Sequence, residues 1–228
     1  MITLDDYDAV VFDCDGVLLD SNDMKVEAFR EVARRAGFHS EILDSFSRWQ
    51  SRNFGLSRYR VFERLIAGEF GEVPPDVTLA NLLQLYAVEV VAGYGAVAET
   101  EGARDLIASL RKKPLYVVSG SDEIELREVM EERGFGSFFR EIYGSPATKA
   151  ENLMRVMDAL PEGSRAVFIG DAEADVDAAQ SVGLGFIFMA KHSLVLEEML
   201  VRAHQDEFGK VDTLRDLLPT SAGTAIAQ

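Results

Sequence analysis

Asp13, Asp15, Ser119, Lys149, Asp171 and Asp175 are the residues of this sequence whose types and placement could do chemistry together. Four of them are carboxylates drawn from distant parts of the chain. Carboxylates brought close repel one another, and their pKa values rise. A divalent cation relieves the repulsion. All-oxygen ligation suits Mg²⁺, which uses few protein carboxylates, keeps waters and accepts a substrate phosphate as a further ligand. Any one of these acids alone is equally well read as a helix N-cap. The whole set, beside Ser119 and Lys149, is not.

The elements that must position them are visible as short β-branched runs. Ala9–Phe12 stops at Asp13-Cys14-Asp15-Gly16, Leu115–Val118 at Ser119-Gly120-Ser121, and Ala166–Ile169 at Gly170-Asp171-Ala172. Further runs lie at Phe186–Met189 and, more weakly, Glu141–Tyr143. Amphipathic helical patterns alternate with them: Ala103/Leu106/Ile107/Leu110, Leu153/Met154/Met157/Leu160 and Val176/Ala179/Val182. That alternation predicts an α/β protein, a Rossmann-like doubly wound parallel sheet covered on both faces. Such sheets bind ligands at the carboxyl ends of their strands, where these acids stand.

Between about Asn22 and Gly93 the pattern changes, and no convincing strand occurs. Helical spacing is seen at Val26/Phe29/Val32/Ala33/Ala36, Ile42/Leu43/Phe46/Trp49, Phe62/Leu65/Ile66 and Leu79/Leu82/Leu83/Tyr86/Ala87/Val90/Val91. Gly68, Gly71 and Pro74-Pro75 punctuate it. The expected organisation is a core of residues 1–17 and 95–228 with a helical subdomain, 18–94, inserted after the first strand. Gly16 and Gly93-Tyr94-Gly95 are its expected hinges. The region after Met189 offers only a helix around Leu194–Val201.

The chain has 228 residues and a formal net charge of -16. The charge excludes a nucleic-acid binder and disfavours an anionic membrane surface. No apolar run reaches membrane-span length. The N-terminus, Met1-Ile2-Thr3-Leu4-Asp5-Asp6, is acidic where a signal peptide is basic and then apolar. A single cysteine, Cys14, allows no internal disulfide, and a cytoplasmic setting is expected. Cys14 reads as a packed spacer between two acids. His39, His192 and His204 are scattered and share no metal-ligand spacing. The tail Thr220–Gln228 is small and polar, and its composition suits disorder.

The motifs resemble those of the haloacid dehalogenase superfamily. Asp13-Cys14-Asp15-Gly16-Val17 looks like its first motif, Val117-Val118-Ser119-Gly120 its second, Lys149 its third and Gly170-Asp171-Ala172-Glu173-Ala174-Asp175 its fourth. The helical insert resembles the C1 cap of the phosphoglycolate phosphatase and β-phosphoglucomutase-like members. Ala172 departs from the Ser found in many members, at a position that is not the usual ligand. The resemblance implies a Mg²⁺-dependent phosphatase. Asp13 is the implied nucleophile, forming an aspartyl phosphate, and Asp15 the general acid and base. Asp13, Asp15 (through its carbonyl), Asp171 and Asp175 are the implied metal set. Ser119, Gly120 and Lys149 are expected to hold the phosphoryl oxygens. Asp15 itself points to phosphoryl transfer, because the dehalogenases of this superfamily lack that second acid.

The segment Arg48–Arg64 carries five arginines against one acid, Glu63. Gly55-Leu56-Ser57-Arg58 resembles the specificity loop of C1-capped members. Arg58 is the expected substrate contact, with Arg52, Arg48 and Lys25 as further candidates. The expected partner is a small phosphomonoester, a sugar or sugar-acid phosphate or phosphoglycolate, and a guanidinium fork suits those with a second anionic group. The oligomeric state is left as monomer or homodimer. Lys25 occupies the place where β-phosphoglucomutases carry a histidine, which disfavours but keeps open a mutase. A catalytically inactive binding protein on the same fold is a further alternative, and the intact motifs argue against it.

Overall fold

The structure is a computed structural model that describes residues 2–219; the tail Thr220–Gln228 lies outside the described residues. Six strands form one sheet: β1 (Ala9–Phe12), β2 (Leu115–Asp122), β3 (Glu141–Ser145), β4 (Ala166–Gly170), β5 (Gly185–Met189) and β6 (Gly209–Val211). Their order is β3-β2-β1-β4-β5-β6, and every neighbouring pair is parallel. This is the doubly wound α/β sheet read from the sequence. The chain leaves β1 to one side for β2 and β3, then returns to the other side for β4. Loops after β1 and β4 therefore part company there, and a crevice opens at the carboxyl edge. Asp13 and Asp171 stand directly after those two strands. The amide of Asp13 still donates to the Ile169 carbonyl, at 2.9 Å.

Period-two alternation splits the strand side chains between two apolar clusters. Val10, Phe12, Val117, Val167 and Ile169 pack with α5 (Ala103–Ser109) and α6 (Glu123–Glu132). Ala9, Val11, Tyr116, Val118 and Phe168 pack with α7 (Lys149–Asp158), α8 (Glu173–Ser181) and α9 (Leu196–Gln205). Fully burying each of the valine, isoleucine and phenylalanine side chains among these contributes about 1.5–3 kcal/mol. Helix α7 begins on a capping box, in which Thr148 and Glu151 satisfy each other's amides. That fixes Lys149 as its first helical residue.

Between β1 and β2 lie α1 (Asn22–Arg35), α2 (Ser40–Arg52), α3 (Arg58–Ile66) and α4 (Leu79–Tyr94). Phe29 of α1 stacks on Tyr86 of α4, with ring centroids 4.1 Å apart, and meets Phe62 of α3 at 5.1 Å. This aromatic knot belongs to the same apolar cluster as the α5/α6 face of the sheet. Among the described residues no helix is long and apolar enough to cross a membrane.

Three local details depart from the periodicities. Strand β6 is only three residues long, Gly209–Val211, too short to show a pattern. Strand β2 runs on to Asp122 through a register shift after Val118, so Ser119 lies within its irregular end. Met154 and Val91 are exposed rather than packed. The buried stripe of α7 starts from Lys149 and follows Asn152, Leu153 and Val156. That of α4 steps by four through Leu82, Tyr86, Val90 and Tyr94.

Gly16 has φ +75, and a Cβ there would stand 2.1 Å from Asp171 Oδ2. Left-handed backbone and close approach of the acid both require glycine. Gly16→Ala should lower stability by about 1–3 kcal/mol, read as a lower urea midpoint with an unchanged m-value.

Candidate active site

Asp13, Asp171 and Asp175 meet at the crevice. Each offers an oxygen, and these atoms lie within 4.8 Å of one another. All three side chains are buried. Asp13 Oδ1 accepts from the Cys14 amide at 2.8 Å, and its Oδ2 accepts from Lys149 Nζ at 2.9 Å. Lys149 also donates to Asp175 Oδ1. Asp175 Oδ2 takes the amides of Asp171 and Ala172, at 3.2 and 3.1 Å. Both oxygens of Asp175 are thus engaged, and it braces the turn after β4. Asp171 Oδ2 accepts from Asn22 Nδ2 at 2.6 Å, while its Oδ1 is buried without a partner. That orphaned oxygen, in an all-oxygen set, fits a hard divalent cation. Residues Asp13 and Asp171 would hold it directly.

Asp15 lies in a different environment. Its Oδ1 accepts from Ser21 Oγ at 2.6 Å and from the Tyr94 hydroxyl at 2.7 Å. Its Oδ2 accepts from Lys25 Nζ at 2.6 Å and from Ser121 Oγ at 2.9 Å. Lys25 and Tyr94 come from the two ends of the helical layer, so Asp15 ties α1 and α4 to the sheet.

The two environments separate the two acids. Burial pushes Asp13 up to about 7, against the pull of Lys149 and with help from Asp175 and Asp15. Burial and the neighbouring Asp175 and Asp13 likewise push Asp171 well above the carboxylate range. Burial would raise Asp15 too, but Lys25 and the surrounding donors bring it down to about 2. Burial would lower Lys149, yet Asp13 and Asp175 together raise it. Burial raises the Cys14 thiol well above its ordinary value, and Cys14 sits in the apolar cluster as a spacer.

Ser119, Gly120 and Lys149 line the cavity with Asp13 and Asp15. Ser119 Oγ accepts from the Ser121 amide at 3.1 Å. The enclosed space is about 20 Å³, room for about one water. Gly120 abuts the loop after α2, where its Cβ would stand 2.7 Å from the Gly55 carbonyl.

The arginines behave differently from the reading of the segment. Arg58 lines the cavity and is buried. Its fork is closed bidentately by Glu125 of α6, Nη1–Oε1 at 2.8 Å and Nη2–Oε2 at 2.6 Å. It is therefore not a free anion receptor here. Arg52 and Arg48 are exposed and do not join the cavity. The α2 stripe of Ile42, Phe46 and Gln50 faces inward, and a residue two further on is turned by about 200°. Lys25 does line the cavity.

Several site residues escaped the sequence reading. Asn22 stands three residues before Lys25, already a candidate, on the same face of α1. Ser121 follows Ser119 by two, on the same side of β2. Gln50 is a polar residue on an apolar stripe, and Tyr94 continues the four-residue step of α4. Those spacings were available signals. Glu125 carries none. His192 pairs with Asp20 at 2.8 Å and lends its carbonyl to Asn22 at 2.8 Å.

A parallel α/β sheet with buried acids converging on its carboxyl edge defines a hydrolase-like phosphate site in outline. A profile of the haloacid dehalogenase-like hydrolases matches residues 7–183, more than half of the chain. The chain belongs to the haloacid dehalogenase-like hydrolase family. It is 25% identical to a phosphoglycolate phosphatase of Pseudomonas putida, over 95% of this chain and 80% of that protein. In fold it resembles a Clostridium acetobutylicum protein described as a predicted phosphatase, with TM-score 0.72, 21% identity and coverage of 92% and 95%. It also resembles a haloacid dehalogenase-like family hydrolase of Streptococcus pneumoniae, with TM-score 0.69, 19% identity and coverage of 92% and 96%.

Raised pKa values make the metal-free site a stability cost at neutral pH. The folded state favours protonated Asp13 and Asp171, so this contribution is full below the ordinary carboxylate pKa and lost as pH rises through about 7. Cation binding needs the ionised forms and so strengthens with pH. At about a hundredfold excess over its Kd, Mg²⁺ should raise Tm by about 5–10 °C near pH 8. The increase should shrink near pH 5 and vanish in Asp171→Asn. Thermal melts in Mg²⁺ and in EDTA check this.

Proposed function

We propose that this chain is a Mg²⁺-dependent phosphomonoesterase of the cytoplasm that works through an aspartyl phosphate on Asp13. The observation that carries the reading is the contact of Lys149 with Asp13, beside the unpartnered Asp171 Oδ1 and opposite Asp15. Nucleophile, cation and acid–base group all border one small cavity, and Asp171 stands beside the nucleophile. The curated relatives' names, phosphoglycolate phosphatases, support the phosphatase class.

In the first step Asp13 attacks phosphorus, the bond to the ester oxygen breaks, and that oxygen takes a proton from Asp15. In the second, water gives a proton to Asp15 and attacks phosphorus. The bond to Asp13 breaks, inorganic phosphate leaves and the carboxylate returns. Mg²⁺, when bound, supplies charge neutralisation to the phosphoryl oxygens. Lys149 neutralises Asp13 and steadies the oxygens that Asp13 does not use. The Ser119 hydroxyl and Gly120 amide serve the remaining oxygens. Asp15 rests ionised, which is the base form that the second step needs. The negative charge of an arriving phosphoryl group raises its pKa and equips it for the first.

Residues 18–94 act as a cap over the core formed by 1–17 and 95–228. With only about 20 Å³ enclosed, no phosphomonoester fits until the cap lifts, and closure afterwards excludes water. Lifting separates Lys25 from Ser121 and Arg58 from Glu125, both of which span cap and core.

Phosphate release from a panel of small phosphomonoesters should require Mg²⁺ and stop with EDTA. Asp13→Asn should lower kcat by at least about a thousandfold, because the covalent step is lost. Mg²⁺-independent release, or full activity in Asp13→Asn, would contradict the proposal. Lys25→Met removes the cation that holds Asp15 ionised. It should shift the alkaline limb of the kcat/KM profile to higher pH, because a less acidic Asp15 stays protonated for the first step, as read from pH–rate curves.

A further inference from the structure

If Asp13 takes the phosphoryl group, as the phosphatase reading holds, the leaving group lies against the cap wall of the cavity. Gln50 of α2, Arg58 of α3 and Tyr86 of α4 belong to that wall. They are 2%, 4% and 1% exposed. Each presents one buried polar atom that has no partner: Gln50 Oε1, Arg58 Nε and the Tyr86 hydroxyl. Leaving such an atom unsatisfied costs about 1–3 kcal/mol. Buried polar atoms are nearly always hydrogen-bonded. Three orphans around one cavity are the mark of a site that waits for a ligand. All three reside in the cap, where the Phe29–Tyr86–Phe62 knot locks α1, α3 and α4 and Phe46 of α2 packs edge-on against Phe29. Their mutual placement therefore survives cap movement.

Their chemistry defines what fits. Arg58 Nε only donates, Gln50 Oε1 only accepts, and the Tyr86 hydroxyl does either. An alcohol hydroxyl also donates and accepts. A carboxylate or a second phosphate only accepts, and would set lone pairs against Gln50 Oε1. The ion pairs point the same way. Glu125 closes the fork of Arg58, Asp15 holds Lys25, and Asp13 and Asp175 hold Lys149. Each cation lining the cavity already has a carboxylate, so a second anion on the substrate finds no unmatched charge.

We infer that the substrate is the phosphate ester of an uncharged, hydroxyl-bearing alcohol, of the polyol or sugar class, whose hydroxyls are bound by Gln50, Arg58 Nε and Tyr86. This replaces the anionic second group expected from the arginine-rich segment.

The test measures kcat/KM with Mg²⁺ for glycerol 3-phosphate, a hexose 6-phosphate, phosphoglycolate and p-nitrophenyl phosphate. Wild type, Gln50→Leu and Tyr86→Phe are compared. At least one hydroxylated ester should exceed phosphoglycolate by about tenfold or more. Tyr86→Phe should lower kcat/KM for that ester about 5- to 100-fold more than for p-nitrophenyl phosphate, the value of one hydrogen bond to the leaving group. Its Tm should match or exceed wild type, since the deleted hydroxyl has no partner in the free protein. Gln50→Leu, which keeps the side chain's bulk, should shift the preference in the same direction. Phosphoglycolate outrunning both hydroxylated esters, or variants that slow all four esters equally, overturns the inference while leaving a phosphatase. Absence of release from every ester overturns the phosphatase reading and the inference with it.

Discussion

One ammonium group holds this site together. Lys149 is buried between Asp13 and Asp175 and donates a hydrogen bond to each. Burying charge is costly unless it is paired and hydrogen-bonded. The capping box that starts α7 places Lys149, the switch of strand order around β1 places Asp13, and the turn after β4 places Asp175. Three distant segments are thus fixed by one mutual charge requirement. Removing one partner from such a pair typically costs about 3–5 kcal/mol, since a buried charge is left behind. The architecture is accordingly least tolerant of change at its carboxyl edge.

The same edge gives two aspartates, two residues apart, opposite electrostatics. Asp13 is raised to about 7 and Asp15 lowered to about 2. Divergent environments of neighbouring acids are the usual means by which one site assigns distinct roles. Asp15 owes its state to the helical insert, through Lys25 and Tyr94. The electrostatics of Asp15 are thereby tied to the position of that insert. Asn22 makes a parallel link, from the first residue of α1 to Asp171. The helical insert, Asp15 and Asp171 are therefore mechanically continuous.

Much of this was readable in the sequence. Short β-branched runs ending in acidic or small residues marked the strands β1, β2 and β4, because a parallel strand buried on both faces shows as an unbroken apolar run. Helical periodicity marked α1–α4 because each buries only one face, and the ordered Asp, Ser, Lys and Asp motifs supplied the candidate site. What stayed hidden depended on partners distant in sequence. No pattern announces that Arg58 meets Glu125, which turned an expected anion receptor into a satisfied ion pair. Nor does any pattern show that Tyr94 closes on Asp15. Gln50 was the exception: a polar side chain on an apolar stripe signalled a partner yet to be found. Exposure of Met154 and Val91 shows the limit of periodicity, since a helix rotated by one residue keeps a plausible stripe.

The most direct test of the account is the covalent state of Asp13 during turnover. Enzyme mixed with a slow phosphomonoester and Mg²⁺ would be quenched in acid within the first turnover and digested, and the peptide carrying Asp13 examined by mass spectrometry. The account predicts a phosphoryl group on Asp13 that hydroxylamine removes, as expected of an acyl phosphate. Hydrolysis that proceeds through a full turnover with Asp13 unmodified, or with the phosphoryl group on another residue, would contradict it.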